Sequence, residues 1–357
     1  MITASHNPPE YNGFKVFNSL GEAFDEESDL AKPAPLTKER HATGIGFVEH
    51  RACHDYQEAL GKITFESNWN VVLDTGNGAT SRLAPQFYTR ALTKVTAINS
   101  VPEPEFSGRG SEPTRQSMRL LCAAVRAGKA NVGIAFDGDG DRMYIVDEEG
   151  VCHLQDRVLA AFVSSLAAMS KGPFVVPVDV SMAVDEVAGN RNAKIVRGPV
   201  GDAKLLREMK RAGGTFAGEP SGAWIHPQFN PCPDGILSGL LFLQAVERED
   251  KTVSEMIDDI PEYYMIRESM PVGLRTGKIP FVEIGRELEK IIGKDSETTR
   301  EFGLRVSTQE SWALIRQSGT EPVLRITAES KIRNDVIRIM RETILTLRRA
   351  MRSVALD

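Results

Sequence analysis

Nowhere does the sequence approach the run of about eighteen apolar residues that a membrane-spanning helix needs, and its first residues carry neither the basic flank nor the apolar core of a signal peptide. A location in the cytoplasm is expected. Cysteine is scarce: Cys53, Cys122, Cys152 and Cys232 are scattered, with no CxxC and no histidine at zinc-ligand spacing. They read as reduced thiols in or near cores rather than as a disulfide framework or a zinc site. Long runs of one charge are missing too, since 43 Lys plus Arg are interspersed with 49 Asp plus Glu for a net charge of −6. That pattern argues against a nucleic-acid groove and a polybasic membrane tether, and leaves a small metabolite or another protein as the expected partner. No repeat of fixed period is visible, which excludes a solenoid. A dinucleotide fingerprint is also absent: DTGNGATS has Gly76 and Gly78 but places Ser81 where the third glycine belongs.

What is present is the composition of an ordinary globular protein, 41% apolar and 26% charged, in 357 residues. A chain of that length exceeds what one core organises, so two or more domains are expected. Three times an apolar, β-branched stretch runs through a polar loop into helical periodicity: Val71 to Leu73 before DTGNG, Val132 to Phe136 before DGDGDR, and Phe174 to Val178 before DVSMAVDEVAG. Strands alternating with helices predict an α/β fold with mostly parallel sheets and ligand loops at the strands' carboxyl ends. The tail changes pattern. Ser311 to Ile315 and Val323 to Ala328 read as strands around RQSGTEP, followed by a helix with apolar positions at Ile332, Val336, Ile339, Met340, Leu347 and Met351. A smaller α+β domain is expected there, and boundaries fall near Asp55, His153 and Ile266.

Four loops carry groups suited to chemistry. DGDGDR, Asp137 to Arg142, sets Asp137, Asp139 and Asp141 on alternate residues with only glycines between, so the carboxylates can converge when the loop curls. Two of them about 4 Å apart would repel by roughly 4 kcal/mol at an effective dielectric of about 20, and a divalent cation removes that cost. Hard oxygen ligands favour magnesium or calcium. The spacing of Asp137, Asp139, Asp141 and Glu148 also suits an EF-hand, but Arg142 stands where glycine is needed and Met143 to Val146 reads as a strand, which excludes that motif. RQSGTEPVLR, Arg316 to Arg325, offers two guanidinium groups, two hydroxyls and a glycine, the parts of a phosphate cradle. GEPSGAW places Glu219 and Ser221 on a glycine-bounded loop that suits sugar hydroxyls. In TASHNP, Ser5 is a candidate nucleophile with His6 or Lys15 as its neighbouring base. Taken singly, RQSGTEP, GEPSGAW and TASHNP are each as readily a turn or a piece of surface, whereas DGDGDR points to a cation by itself.

Taken together and in this order, TASHNP, DGDGDR, GEPSG and RQSGTEP resemble the α-D-phosphohexomutase superfamily, whose members include phosphoglucosamine mutase and phosphomannomutase/phosphoglucomutase. YNGFKVF, VVLDTGNGA and RGPVGD support the resemblance, which runs from Met1 to about Ala328. It implies three related α/β domains and a C-terminal phosphate-binding domain, here residues 1–55, 56–153, 154–265 and 266–357, each giving one loop to a central cleft. It implies phosphoryl exchange between the 1- and 6-positions of a hexose, with hexose 1,6-bisphosphate as activator. Ser5 would be carried as phosphoserine, and magnesium would be held by its phosphoryl oxygen with Asp137, Asp139 and Asp141. Arg142 would lie beside the transferring group, with Lys15 and His6 as candidates for proton transfer. Glu219 and Ser221 would hold sugar hydroxyls, and Arg316, Ser318, Gly319, Thr320 and Arg325 would grip the non-reacting phosphate.

GEPSGAW looks like the loop of archaeal-type phosphoglucosamine mutases, which favours glucosamine phosphate; phosphomannomutase/phosphoglucomutase activity and a non-catalytic sugar-phosphate binder are the alternatives. The enzyme is expected as a monomer or homodimer. Ala223 stands where many family members carry histidine, with His226 three residues on, and Gln317 stands where proline is frequent. In the family the serine loop follows a strand and helix, whereas here it follows Met1 directly. An internal start or a truncated gene is the expected cause, a short active enzyme the alternative, and an exposed sheet edge is expected in residues 1–55.

Overall fold

The structure, a computed structural model, describes residues 1–25, 51–271, 279–318 and 322–354. Helix α1 (Arg51–Leu60) leads into a first sheet of β1 (Asn70–Asp74), β2 (Lys94–Ile98), β3 (Val132–Phe136) and β4 (Met143–Val146), ordered β2-β1-β3-β4, with α2 (Leu83–Ala91) and α3 (Arg119–Gly128) as connections. β3 is buried at every residue and β1 at all but its first, as inner parallel strands covered on both faces must be. Their apolar runs are therefore continuous rather than alternating.

A second sheet repeats the plan. Helix α4 (Gln155–Met169) precedes β5 (Phe174–Pro177), α5 (Ala183–Gly189), β6 (Ile195–Gly198), α6 (Asp202–Ala212), β7 (Phe216–Gly218) and β8 (Trp224–Ile225), and α7 (Gly235–Arg248) and α8 (Val253–Asp258) follow. Its order is β6-β5-β7-β8. In both sheets the first strand pairs in parallel with the second and third, and the fourth returns antiparallel to the third. Asp137–Arg142 and Glu219–Ala223 hence occupy the same topological place, the turn between third and fourth strands. Ile134, Phe136, Phe162, Trp224, Leu240 and Phe242 belong to one core that runs through both sheets and their shared helices.

The chain closes with an antiparallel sheet of β9 (Tyr264–Pro271), β10 (Glu297–Thr299), β11 (Leu304–Ser307), β12 (Ser311–Gln317) and β13 (Val323–Ser330), ordered β10-β11-β12-β13-β9. Helices α9 (Phe281–Ile292) and α10 (Arg333–Val354) complete this α+β unit, packing Ile284, Leu288, Ile339 and Leu347 on Ile315 and Ile326. Val336 and Met340 are buried as expected, but Ile332 is 56% exposed, because α10 begins at Arg333 and leaves it ahead of the buried stripe. A small seam of Val178, Trp312 and Leu314 joins this unit to the second sheet.

Two further expectations need correction. Cys122 is buried, but Cys53 is exposed on α1, whose buried residue is Leu60. The sheet edge expected in residues 1–55 is not formed by the described residues there: residues 1–25 hold the isolated bridges Ile2 to Phe14 and Phe17 to Ala23, with Ile2, Phe14 and Leu20 about seven-tenths exposed or more. Residues 26–50 lie outside the described residues. Among the described residues no helix is long and apolar enough to cross a membrane.

Candidate active site

The aspartate loop follows from β3. A fully buried strand ends at Phe136, and the chain must turn at once to return as β4. Asp137 makes that turn: its Oδ1 accepts from the Gly140 and Arg142 N–H groups, both at 3.1 Å. The turn brings one carboxylate oxygen from each of Asp137, Asp139 and Asp141 within 4.8 Å of one another. Asp137 Oδ2, Asp139 Oδ1 and Asp141 Oδ1 are buried with no hydrogen-bond partner among the described residues. Burial, and then the neighbouring aspartates, push Asp137 well above the ordinary carboxylate range, and Asp141 rises for the same reasons. Three buried, under-satisfied oxygens from hard ligands fit a divalent cation such as magnesium.

A cation already stands at the edge of this cluster. Lys15 Nζ lies 2.5 Å from Asp141 Oδ2 and 3.6 Å from Asp139 Oδ2. Burial alone would weaken its hold on the proton, but the two carboxylates outweigh burial and keep the ammonium charged. Arg142 Nε closes the other side, 3.7 Å from Asp137 Oδ2 and 3.8 Å from Asp141 Oδ1.

The serine loop docks on the aspartate loop. Residues 1–17 double back, with Thr3 N–H donating to Gly13 O and Lys15 N–H to Met1 O. Thr3 Oγ1 donates to Asp139 Oδ2 at 2.8 Å and accepts from Ser5 N–H at 2.8 Å. Ser5 itself is held in the left-handed region, φ 55°, which a non-glycine residue adopts only when its surroundings impose it. Its Oγ lies 3.1 Å from His6 Nδ1. Burial, and then the Arg142 charge, lower the His6 pKa, so its imidazole is neutral near pH 7. Ser111 Oγ, from the connection between β2 and α3, reaches His6 O at 2.6 Å and Asn7 O at 2.9 Å.

The GEPSGAW loop is the β7–β8 turn. Glu219 is 8% exposed; its Oε1 accepts from Gly201 N–H at 2.7 Å and its Oε2 from Ser221 Oγ at 3.1 Å. Burial raises its pKa despite those donors. This turn and the aspartate loop are paired directly, through a bridge between Arg142 and Ala223 and a bond from Met143 N–H to Gly222 O at 3.2 Å. Gly222, φ 86°, permits the approach: a Cβ there would lie 2.2 Å from Met143 O. Ala223 is itself buried, and His226 does not replace the histidine absent there. His226 is 3% exposed beside Phe162 and Phe216, its Nε2 3.0 Å from Ser238 Oγ, and burial lowers its pKa to about 3.

A cleft of about 1220 Å³ opens beside these loops, lined by Lys15, Asp179, Gly201, Asp202, Arg267, Arg316, Ser318 and Arg325 among others. Arg316 and Arg325 are direct cross-strand partners on β12 and β13. Arg316 Nη2 donates to Asp179 Oδ2 at 3.0 Å, and Arg325 Nη1 to Ser269 Oγ at 2.7 Å. Gly319 and Thr320, expected in the same cradle, lie outside the described residues. Thr3 lies within TASHNP but was given no role from the sequence, and Ser111, Asp179 and Arg267 lie outside the four loops; each makes its contact with a distant chain segment.

Fold and site define a multi-domain α/β protein with a cluster of three aspartates beside a serine and a cleft whose lining includes Arg267, Arg316 and Arg325. Comparison with known proteins specifies the family. Phosphoglucomutase/phosphomannomutase alpha/beta/alpha domains I, II and III match residues 1–32, 54–150 and 155–264, and the C-terminal domain of that family matches residues 278–345. Phosphoglucosamine mutase of Methanococcus maripaludis (strain C5) is 38% identical over 96% of this chain and 79% of its own length. Phosphoglucosamine mutase of Methanocaldococcus jannaschii is 34% identical over 98% and 81%. Among solved structures, a phosphoglucomutase/phosphomannomutase family protein of Burkholderia thailandensis superposes with a TM-score of 0.79 at 23% identity, covering 98% of this chain and 75% of its own. An N-acetylphosphoglucosamine mutase of Aspergillus fumigatus, solved with GlcNAc-6P and magnesium, gives 0.69 at 14% identity, covering 98% and 88%. The chain belongs to the phosphoglucomutase/phosphomannomutase family, within the α-D-phosphohexomutase superfamily of isomerases.

Proposed function

We propose that this chain interconverts glucosamine 6-phosphate and glucosamine 1-phosphate through a phosphoserine at Ser5. The observation that carries the reading is the contact between the Ser5 loop and the aspartate cluster, made through Thr3 and Asp139. The amino sugar is favoured by the names of the archaeal relatives and by the GEPSGAW loop.

In each half-reaction the P–O bond to one oxygen breaks as the bond to the other forms. When the phosphoryl group leaves Ser5, the attacking sugar hydroxyl gives up its proton and Ser5 Oγ gains one; when it returns, Ser5 Oγ gives up that proton and the sugar oxygen leaving phosphorus gains one. His6, neutral and 3.1 Å from Ser5 Oγ, suits proton exchange at that atom. Lys15, charged and fixed on Asp141, suits charge stabilisation more than proton abstraction. Asp137, Asp139 and Asp141 would hold magnesium, which supplies charge neutralisation at the transferring group. Arg142 would lie on the same side. Glu219 and Ser221 would meet sugar hydroxyls, while Arg316, Ser318 and Arg325, with Gly319 and Thr320, would grip the far phosphate so that the sugar is positioned for in-line transfer. The division of labour follows four units, divided near residues 55, 153 and 265.

A phosphorus NMR time course with glucosamine 6-phosphate, magnesium and a trace of hexose 1,6-bisphosphate tests the reading. Growth of a 1-phosphate signal faster than with the glucose or mannose phosphates is expected. A folded sample that turns over none of the three would refute it.

A further inference from the structure

We propose that Asp179 is the resting counter-ion of Arg316 and thereby decides which anions the cleft accepts. The inference rests on the reading of Arg316 as a phosphate ligand. Asp179 sits in the loop after β5, and its Oδ2 accepts from Arg316 Nη2 at 3.0 Å. Both side chains are partly buried, 22% exposed for Arg316 and 14% for Asp179, on the wall of the 1220 Å³ cleft. Arg325 stands opposite Arg316 in the β12–β13 pair, so two guanidinium groups share one face of the sheet. Placing an anion beside them offsets their repulsion. Asp179 supplies that charge from another domain.

An arriving anion must exchange with this carboxylate. A singly charged carboxylate offers Arg316 what it already holds and gains nothing. A phosphate monoester is largely dianionic near neutral pH and brings three acceptor oxygens to a guanidinium fork. The exchange is confined to the side chain, because the loop is tied down elsewhere: Asp179 O accepts from Arg267 Nη2 at 3.2 Å, Met182 N–H donates to Glu329 Oε2 at 2.8 Å, and Arg305 donates to Val178 O. Arg267 is in turn held by both Asp156 carboxylate oxygens at 3.0 Å. Asp179 therefore filters anions by charge without unseating the C-terminal unit.

Calorimetric titration of the full chain with inorganic phosphate, beside steady-state kinetics, tests this. Asp179→Asn keeps the size and one acceptor but removes the charge, and should bind phosphate about tenfold more tightly, with KM lowered by a similar factor and kcat reduced as product leaves more slowly. Glucuronate, a sugar monocarboxylate, should leave the parent protein uninhibited and should become an inhibitor of that variant. Asp179→Glu, which retains the charge, should behave as the parent. Unchanged phosphate affinity in Asp179→Asn, together with weakened affinity in Arg316→Ala, would overturn the counter-ion role and leave Arg316 as a phosphate ligand. Unchanged affinity in Arg316→Ala would overturn both. If Asp179→Asn and Asp179→Glu weaken phosphate binding alike with a lowered thermal midpoint, Asp179 is a packing residue and the proposal falls.

Discussion

Gly138 lies directly beneath the carbonyl of Ser5: a Cβ built on Gly138 would stand 2.5 Å from Ser5 O. The first glycine of the aspartate loop is thus the seat of the serine loop, and the two loops approach as closely as backbone allows. Gly138→Ala must push the serine away from the aspartates by a fraction of an ångström or more. Misplacement on that scale costs about a hundredfold in rate, while stability is kept, because the nearest atoms the methyl would meet, on Ser5, Ser111 and Phe106, lie outside the hydrophobic core. Steady-state kinetics beside thermal unfolding checks both halves; full activity in the variant would mean that the loops need not touch.

Ser5→Ala removes the proposed phosphoryl carrier without disturbing a packed side chain. Turnover should vanish, intact-mass spectrometry should lose a phosphoryl increment seen in the parent after treatment with hexose 1,6-bisphosphate, and binding of glucosamine 6-phosphate should persist. Residual turnover at the parental rate would exclude Ser5 as the carrier.

Lys15 and a divalent cation compete for Asp139 and Asp141. Lys15→Met deletes the competing charge, so magnesium should bind about tenfold more tightly, a change of about 1.4 kcal/mol, while activity falls. Magnesium titration by calorimetry reads the affinity directly. Weaker magnesium binding in the variant would place Lys15 as a support of the site rather than as its substitute cation.

His226 makes stability fall in acid. Its folded pKa is lowered by burial to about 3, against about 6.5 unfolded, so between those values the unfolded chain binds the extra proton. Stability attributable to this group is whole above about pH 6.5 and is lost as pH drops toward 3, by up to about 1.4 kcal/mol per unit. Denaturant unfolding at pH 7 and pH 5 should show a smaller acid loss in His226→Gln than in the parent. An equal loss would mean that His226 is protonated in place.

The strands at Asn70–Asp74, Val132–Phe136 and Phe174–Pro177 were legible because a doubly covered strand needs an unbroken apolar run, and these have one. The convergence of the DGDGDR carboxylates was legible because residues separated only by glycine let the loop curl tightly enough to bring them together. Ile332 misled because apolar periodicity does not mark where a helix starts. Cys53 misled because a thiol tolerates an exposed helix face.

The duplication of the two four-stranded sheets was not legible as a repeat. Strand order is fixed by hydrogen-bond pairing between segments whose side chains need only be apolar, so topology survives without similar residues. The same reason hides Ser111 and Asp179, each an ordinary polar residue in its own segment, and the role of Thr3 within TASHNP.

The sequence by itself determined the inventory: a serine loop, three aspartates on a curling turn, a glycine-bounded carboxylate and paired arginines, in an order that one family shares. Those are properties of short stretches, where residue type and spacing settle the local chemistry. Only the tertiary structure decided how the pieces meet, because contacts between residues a hundred or more positions apart depend on how whole sheets pack. It set Ser5 against Gly138, put Lys15 on Asp141, buried His226 away from the chemistry, and gave Arg316 to Asp179.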